Sequence, residues 1–489
     1  MATRLTTILV IVIVGATFIA GLIVGAQRDD ASGPVDLIIV NGKVYPGGGA
    51  ALEEAVAVRG NQILRVGSNR DVKRLRRAQT VVLDAHGATV LPGLNDSHVQ
   101  LMAGALGLED LNLSPATAID AIGTELRQYA EEQPARPWLL GRNGGTDVLG
   151  TANVPARRIL DEAVLDRPVL ITSEDGHVAW ANSKALELAG IDRKTRNPES
   201  GIVVKDRRTG EPTGVLKDDA VELVTRKLPQ PTQAEKLTAL RAAINEAHKV
   251  GITSLQSVST TDEELELLDE IRRQGDLSLR IYASIAVPPT VTEAAVLELN
   301  NLRQEFPDDP ALKLGGVMVM CPCDGPELKR AVTLLDKHEW TVMVRTVNGA
   351  DVHAAVDAFE HAASANSATA RDRRHRLDES LLSDGRARIL SGSSWPAASL
   401  DPRDTIEDGG AAPGELRNAI DAYTTHAAYA SYDEQRKGTL ARGMLADIVI
   451  LSSDIFEPRP DALGGTAVTV TIFDGKIVYQ RSATASSND

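Results

Sequence analysis

The sequence predicts an α/β barrel, and three features of the chain lead to that fold class. Short apolar runs alternate with helical stretches through the middle of the chain, as where the helical residues 234–250 precede the apolar residues 251–256. This alternation is typical of a parallel barrel. Similar strand pairs lie near both ends, with Asn41-Gly42 and Asp474-Gly475 as their expected hairpin turns. The length of 489 residues allows an extensive core.

The first residues predict a membrane anchor. Residues 5–26 carry no charged side chain and are numerous enough to cross the hydrocarbon core of a bilayer. A cleavable signal peptide is the alternative, because Val24-Gly25-Ala26 resembles a cleavage site, but its apolar region is usually about 7–15 residues long. We therefore expect a single-pass protein with a periplasmic or extracytoplasmic body. The small residues that would suit packing against another membrane helix are Ala16, Ala20, Gly21 and Gly25.

One segment is almost a metal site. A buried strand ends at Pro92, and Asp96, His98 and Gln100 follow in an expected extended conformation. Alternate residues of a strand point to the same side, so His98 and Gln100 would face one cavity. Two histidines at these positions would form a metal clamp, whereas the neutral amide of Gln100 is a poor ligand for a transition metal.

Several motifs, in order, resemble those of the amidohydrolase superfamily, in particular the N-substituted formamide deformylase-like members. The first is Pro-Gly-x-x-Asp-x-His-x-His, which residues 92–100 match except at Gln100. The others are Asp-Gly-His-x-x-Trp-x-Asn-Ser at 175–183, Gly-x-Pro-x-Gly-x-Leu at 210–216 and Lys-Gly-x-Leu-x-x-Gly-x-x-Ala-Asp at 437–447. The resemblance covers most of the chain. It implies a TIM-like (β/α) barrel with a small β-sandwich built from both flanks.

The resemblance also implies a set of metal ligands that this chain mostly lacks. Arg345 and Glu379 stand where the family has its two later histidines, and Ser394 replaces the aspartate of the last strand. Lys313 is the candidate for the bridging lysine, and His177 would line the substrate pocket of an active relative.

The chemistry of these replacements predicts that the hydrolase mechanism is lost. A catalytic zinc normally needs three protein ligands. The permanent charge of Arg345 would repel a cation, and Ser394 cannot act as a base without an activating partner. We expect no metal, no cofactor and no catalytic residue. The vestigial positions are Asp96, His98, Gln100, His177, Lys313, Arg345, Glu379 and Ser394.

Two shortened stretches of the chain also favour a loss of the hydrolase mechanism. Relatives place at least one further strand–helix unit where this chain has only residues 380–393, and the stretch after Lys313 is also short. The barrel is therefore expected to be distorted or incomplete. The predicted order is an anchor at 1–26, a linker at 27–34, half of the sandwich at 35–92, the barrel at 93–434, the other half of the sandwich at 435–482 and a tail at 483–489.

These observations favour a membrane-anchored, catalytically inactive structural or accessory subunit of a membrane complex. The complex would be respiratory, photosynthetic, transport or envelope-building. A net charge of −15 argues against nucleic acid as a partner. One alternative is a divergent amide or formamide hydrolase, acting on carbon–nitrogen bonds other than peptide bonds, with zinc or a similar metal in a site rebuilt from Asp96, His98, His177 and Glu379. The other is a small-ligand-binding protein in which Arg345 pairs with a carboxylate or phosphate in the former active-site pocket.

Overall fold

The computed structural model describes twelve stretches of the chain. They are residues 35–113, 118–144, 155–173, 176–306, 308–320, 325–346, 349–368, 371–377, 380–383, 386–408, 413–457 and 465–482. The predicted anchor at 1–26, with its small residues Ala16, Ala20, Gly21 and Gly25, lies outside them, as do the linker at 27–34 and the tail at 483–489.

The membrane localisation needs correction. No helix within the described stretches is long and apolar enough to cross a membrane. The longest of these helices have 17 residues and carry several charged side chains, and 17 residues of helix rise only about 25 Å. The prediction of a single-pass membrane protein with an extracytoplasmic body is therefore withdrawn.

The first described stretch contributes strands to two different sheets. Its elements are β1 (Leu37–Val40), β2 (Lys43–Val44), β3 (Ala55–Arg59), β4 (Gln62–Gly67), α1 (Asn69–Lys73), β5 (Val81–Asp84) and β6 (Thr89–Pro92). One sheet has the order β4-β3-β1-β5. The predicted hairpin at Asn41-Gly42 is wrong, because β2 leaves this sheet and pairs with β6. Asn41 adopts φ 56°, and this turn carries the chain from one sheet to the other.

A separate sheet follows the first strand of the barrel. This region contains β7 (Leu94–Val99), α2 (Leu101–Leu106), a 3-10 turn (Gly107–Glu109), β8 (Leu111–Asn112), α3 (Ile119–Glu132), β9 (Leu139–Arg142), α4 (Ala156–Ala163), β10 (Val169–Thr172), β11 (Val178–Ala181), α5 (Ser183–Ala189), β12 (Gly201–Lys205), β13 (Pro212–Asp218) and α6 (Glu222–Thr225). Strands β8 to β13 form a six-stranded sheet of order β12-β13-β11-β10-β9-β8. It has its own cores, one of which centres on the fully buried Trp180. The sequence did not predict this unit within the barrel range 93–434.

The next region supplies most of the barrel. Its elements are α7 (Gln233–Lys249), β14 (Ile252–Thr260), α8 (Asp262–Arg273), β15 (Arg280–Val287), α9 (Glu293–Glu305), β16 (Leu312–Val319), α10 (Gly325–Lys337), β17 (Thr341–Val344), α11 (Gly349–Ala365), β18 (Arg376–Leu377), β19 (Ser380–Ser383) and β20 (Arg386–Ile389). The sheet has the order β20-β19-β18-β17-β16-β15-β14-β7, and β7 and β14 to β18 run parallel.

The barrel departs from a regular eight-unit repeat after β18. There β19 and β20 form an antiparallel hairpin where a strand–helix unit would continue the repeat. The segment Ser391–Trp395 then lies parallel to β7, on the side away from β14. The Ser394 amide donates to the His98 carbonyl at 2.9 Å, and the Gln100 amide donates to the Trp395 carbonyl at 2.9 Å. The curled α/β sheet thus fits a TIM-like barrel in which one unit is replaced by a hairpin.

The last part of the chain completes the flanking sheets. It contains α12 (Pro402–Asp408), α13 (Pro413–Ala422), α14 (Thr425–Ala430), β21 (Ile448–Leu451), β22 (Val468–Phe473) and β23 (Lys476–Gln480). Strands β22 and β23 form the expected hairpin at Asp474-Gly475. The second sheet has the order β2-β6-β21-β22-β23 and so combines both flanks of the chain. A buried aliphatic cluster that includes Val56 and Ile472 joins the two flanking sheets.

A buried ion pair ties these sheets to the barrel. Arg280, at the start of β15, donates to both carboxylate oxygens of Asp447 at 2.6 and 2.9 Å and to Asp474 at 2.7 Å. The side chains of Arg280 and Asp447 are only 4% and 5% exposed. A bidentate arginine–carboxylate pair of this kind fixes relative orientation.

Candidate site at the carboxyl end of the barrel

The buried side chain of Asp96 links β7 to the segment Ser391–Trp395. Its carboxylate accepts the backbone N–H of His98 at 3.0 Å and that of Ser393 at 3.0 and 3.2 Å. Complete burial raises the pKa of Asp96 to about 6, although these hydrogen bonds act in the opposite direction. The carboxylate therefore holds the segment Ser391–Trp395 against β7.

His98 lies in a positively charged environment. Its pKa is lowered to about 4, first by burial and then by the charges of Arg376 and Arg345. Arg376 is 2% exposed and donates to the Ser97 carbonyl at 3.1 Å, whereas Arg345 is exposed just beyond β17. A divalent cation would meet the same repulsion that disfavours the imidazolium of His98.

The interior near the carboxyl ends of β14, β16 and β17 is apolar. Val258, Met318 and Met343 form a buried cluster there, and Met320 packs against it. The Ser259 hydroxyl donates a long hydrogen bond of 3.8 Å to the Met318 sulfur. Zinc sites use cysteine sulfur, histidine nitrogen and carboxylate oxygen, so this cluster supplies no fitting ligand.

Gln100 and Lys313 do not lie on the part of β7 that carries His98. Strand β7 ends at Val99, and Gln100 is the N-cap residue of α2 and not the next residue of the strand. Lys313 lies at the amino end of β16, opposite the carboxyl ends, and pairs with Asp308 at 3.1 Å. Lys313 thus cannot bridge metals beside His98, which corrects that assignment.

His177 and Ser394 do not complete a ligand set either. His177 precedes β11 of the separate sheet, and its Nδ1 lies 3.1 Å from an Asp218 oxygen, with both side chains largely exposed. Ser394 is exposed at φ 55°, in the turn beside His98. Glu379 lies outside the described residues. Within the residues that are described, no three histidine, cysteine, aspartate or glutamate side chains are grouped to hold a metal ion. These residues do not fit the metal that the fold implies.

The structure adds Arg376, Met318 and Met343 to the candidate site. Arg376 is the last residue of the arginine-rich run at residues 371–376. The pairing of β18 with β17 decides which residues of β18 point into the barrel, and Arg376 is one of them. The two methionines have no sequence motif, and only their alternation with outward-facing valines could have indicated the barrel interior.

Comparison with known proteins establishes the family. The family model described as "Amidohydrolase family" matches residues 81–389 and 381–479. The chain belongs to the amidohydrolase family. The resemblance in the sequence motifs is thereby confirmed.

This amidohydrolase-family chain is similar to proteins with and without a stated activity. It is 25% identical over 539 residues to "Protein LONG AFTER FAR-RED 3" of Arabidopsis thaliana, covering 91% of each chain. It is 28% identical over 240 residues to the "N-substituted formamide deformylase" of Arthrobacter pascens, covering 47% of this chain and 44% of that protein.

A solved structure supports the fold. The crystal structure of an uncharacterized metal-dependent hydrolase from Pyrococcus furiosus superposes with a TM-score of 0.65 at 19% identity, covering 86% of this chain and 100% of that one. At this identity the likeness concerns the fold.

Proposed function

We propose that this chain is a catalytically inactive amidohydrolase-family protein that acts as a structural or accessory component of a protein complex. The observation that carries the proposal is the positive charge beside His98. Burial lowers the pKa of His98 most, and the charges of Arg376 and Arg345 lower it further. Metal-dependent hydrolysis, as in this family, would require a metal cation beside His98.

The mechanism of metal-dependent hydrolysis explains why this matters. Such enzymes use a bound metal to lower the pKa of a water molecule, and a carboxylate then takes the proton. Here the one buried carboxylate beside His98 is Asp96 among the described residues, and backbone N–H groups already occupy it. The neighbouring interior is filled by methionine and valine side chains. The described residues thus provide neither the ligand set nor a free base.

The similar proteins are consistent with either an inactive protein or a divergent formamide hydrolase. "Protein LONG AFTER FAR-RED 3" aligns with nearly the whole chain, and its name contains no hydrolase activity. The "N-substituted formamide deformylase" aligns with about half of the chain and supports the alternative of a divergent formamide hydrolase. That alternative needs His98 and His177 to share a metal, whereas His177 pairs with Asp218 on the separate sheet.

An activity assay distinguishes the two readings. The full-length chain would be incubated with N-benzylformamide in the presence of Zn²⁺, Co²⁺ or Mn²⁺, and the amine product would be measured. We expect no turnover above the rate without protein. Metal-dependent turnover that His98→Ala abolishes, and that the control His86→Ala leaves intact, would overturn the proposal. His86 is a suitable control because its side chain is 85% exposed.

A further inference from the structure

A cavity of about 520 Å³ lies at the amino end of the barrel, opposite His98. It opens where β15, β16 and β17 begin. Its lining includes Tyr282, Arg303, Phe306, Lys313, Thr341 and Tyr432. Small-molecule sites usually have volumes of roughly 300–1,000 Å³, so the cavity has a suitable size for a ligand.

The walls of this cavity combine three aromatic side chains with three basic and three acidic ones. The acidic residues are Asp308, Glu339 and Asp372. Tyr282 and Phe306 are 3% and 9% exposed, and Tyr432 lies beside them. Gly315 packs against the ring of Tyr282 so closely that an added Cβ would lie 2.5 Å from a ring carbon. Flat apolar groups bind well between aromatic side chains of this kind.

Arg303 differs from the other cations of the lining. Lys313 pairs with Asp308 at 3.1 Å, and Arg371 pairs with the buried Asp336. Arg303 instead donates only weakly, to the carbonyl oxygens of His338 at 3.2 Å and Glu339 at 3.4 Å.

The charge of Arg303 is poorly compensated. Its guanidinium carbon lies 4.4 Å from the centre of the Trp340 ring, and the described residues give it no ion-pair carboxylate in direct contact. Burial lowers the pKa of Arg303, and the exposed Glu339 offsets that effect only in part. A bound anion would compensate this charge.

Tyr282 supplies a second donor. Its hydroxyl is buried and has no hydrogen-bond partner of good geometry among the described residues, although the Thr341 side chain lies close enough to offset in part the rise of the Tyr282 pKa on burial. The neighbouring Thr341 directs its own hydroxyl to Tyr432 at 3.2 Å. A buried hydroxyl without a well-placed partner is unfavourable, and an acceptor on a ligand would recover that free energy.

We propose that this cavity binds a small aromatic carboxylic acid. The carboxylate pairs with Arg303 and accepts a hydrogen bond from Tyr282, and the ring lies among Phe306, Tyr282 and Tyr432. The site is separate from the former catalytic end of the barrel. It therefore does not depend on whether the protein hydrolyses anything.

Calorimetric titration of the full-length chain with benzoate tests this site, with benzamide as the neutral analogue of the same shape. We expect benzoate to bind with a millimolar or lower Kd and benzamide to bind about tenfold more weakly. Arg303→Gln should weaken benzoate binding by about tenfold or more. Tyr282→Phe should weaken it by a smaller factor while preserving the ring that packs on Gly315.

Arg345→Gln is the matched control, because it removes an arginine at the other end of the barrel. It should leave benzoate binding unchanged. Circular dichroism and the Tm of each variant would show that the fold is retained. The proposal is overturned if benzoate shows no saturable binding, if Arg303→Gln and Tyr282→Phe bind it as the parent chain does, or if Arg345→Gln abolishes binding.

Discussion

The Arg376 guanidinium donates a hydrogen bond of 3.1 Å to the Ser97 carbonyl, although four strands separate β18 from β7 in the curled sheet. The bond therefore joins two strands that are not hydrogen-bonded neighbours in the sheet. It fixes a permanent positive charge at the end of the barrel where the family binds its metal. Burial lowers the pKa of His98, one residue after Ser97, and the charges of Arg376 and Arg345 lower it further.

Removing the exposed arginine beside this site should change the titration of His98. Burial is the largest cause of the lowered pKa of His98 and stays in place, but Arg345→Gln removes one of the two charges that lower it further. The pKa of His98 should therefore rise by a small amount from about 4. Histidine NMR titration, with the signal assigned by His98→Gln, measures this change. Arg226→Gln, at a 68% exposed remote position, should leave His98 unchanged. An unchanged pKa in Arg345→Gln would show that the arginine does not act on the site.

Asp336 should be a major contributor to stability. Its fully buried carboxylate contacts Arg371, Arg373 and His375, and it links the end of α10 to the segment that leads into β18. Asp336→Asn should lower the free energy of unfolding by about 3–5 kcal/mol, because it leaves buried cations without their counter-charge. Denaturant titration measures the loss.

Asp357 provides a matched control for Asp336. It pairs with Lys329 at 2.8 Å, but its side chain is 64% exposed. Asp357→Asn should cost no more than about 1 kcal/mol. Equal losses for the two variants would contradict the role assigned to burial.

Two helical glycines should respond in opposite directions to alanine. A Cβ at Gly104 in α2 would lie 2.2 Å from the Trp395 ring, so Gly104→Ala should destabilise the fold by about 1–3 kcal/mol through overpacking. A Cβ at Gly123 in α3 meets only the end of Arg127 at 3.6 Å, and Gly123→Ala should stabilise by roughly 0.5–1 kcal/mol. Thermal and denaturant unfolding compare them. Stabilisation by both substitutions would show that Trp395 does not pack against α2 as described.

Glu264 predicts a pH dependence of stability. Burial raises its pKa to about 7, and the hydrogen bonds to its carboxylate, including one of 3.4 Å from Ser257, offset that effect only in part. Because the folded pKa is raised, the stability that Glu264 contributes is complete below its ordinary pKa of 4.5 and is lost as the pH rises through about 7.

Glu264→Gln does not titrate and should avoid that loss. The variant should gain stability relative to the parent chain between pH 5 and pH 8.5, by up to about 3 kcal/mol. Denaturant titrations at both pH values measure the difference. A difference that is the same at the two pH values would contradict the raised pKa.

The sequence predicted the elements of the barrel better than their connections. The apolar run at 251–256 is the start of β14, and Asp474-Gly475 is the turn of a true hairpin. Asn41-Gly42 has the same sequence signature, yet its two strands belong to different sheets. A turn motif reports local backbone geometry, whereas strand pairing depends on residues such as Thr89 and Val90, far along the chain.

The sequence shows which metal-ligand positions are replaced, but it does not show where these residues lie in the barrel. The identities of Gln100, Arg345 and Ser394 are visible in the sequence. The sequence alone could not show that Lys313 begins β16 whereas His98 ends β7, because the strand boundaries decide which end of a barrel a residue faces. The inward direction of Arg376 depends in the same way on the register of a two-residue strand.

Metal content tests the central claim most directly. The full-length chain would be purified without chelator, dialysed and examined by elemental mass spectrometry for zinc, iron, manganese, cobalt and nickel. We predict far less than one such ion per chain, because Arg376 and Arg345 repel a cation beside His98 and the described residues lack a ligand set. About one tightly held ion per chain that is lost in His98→Ala would contradict the account.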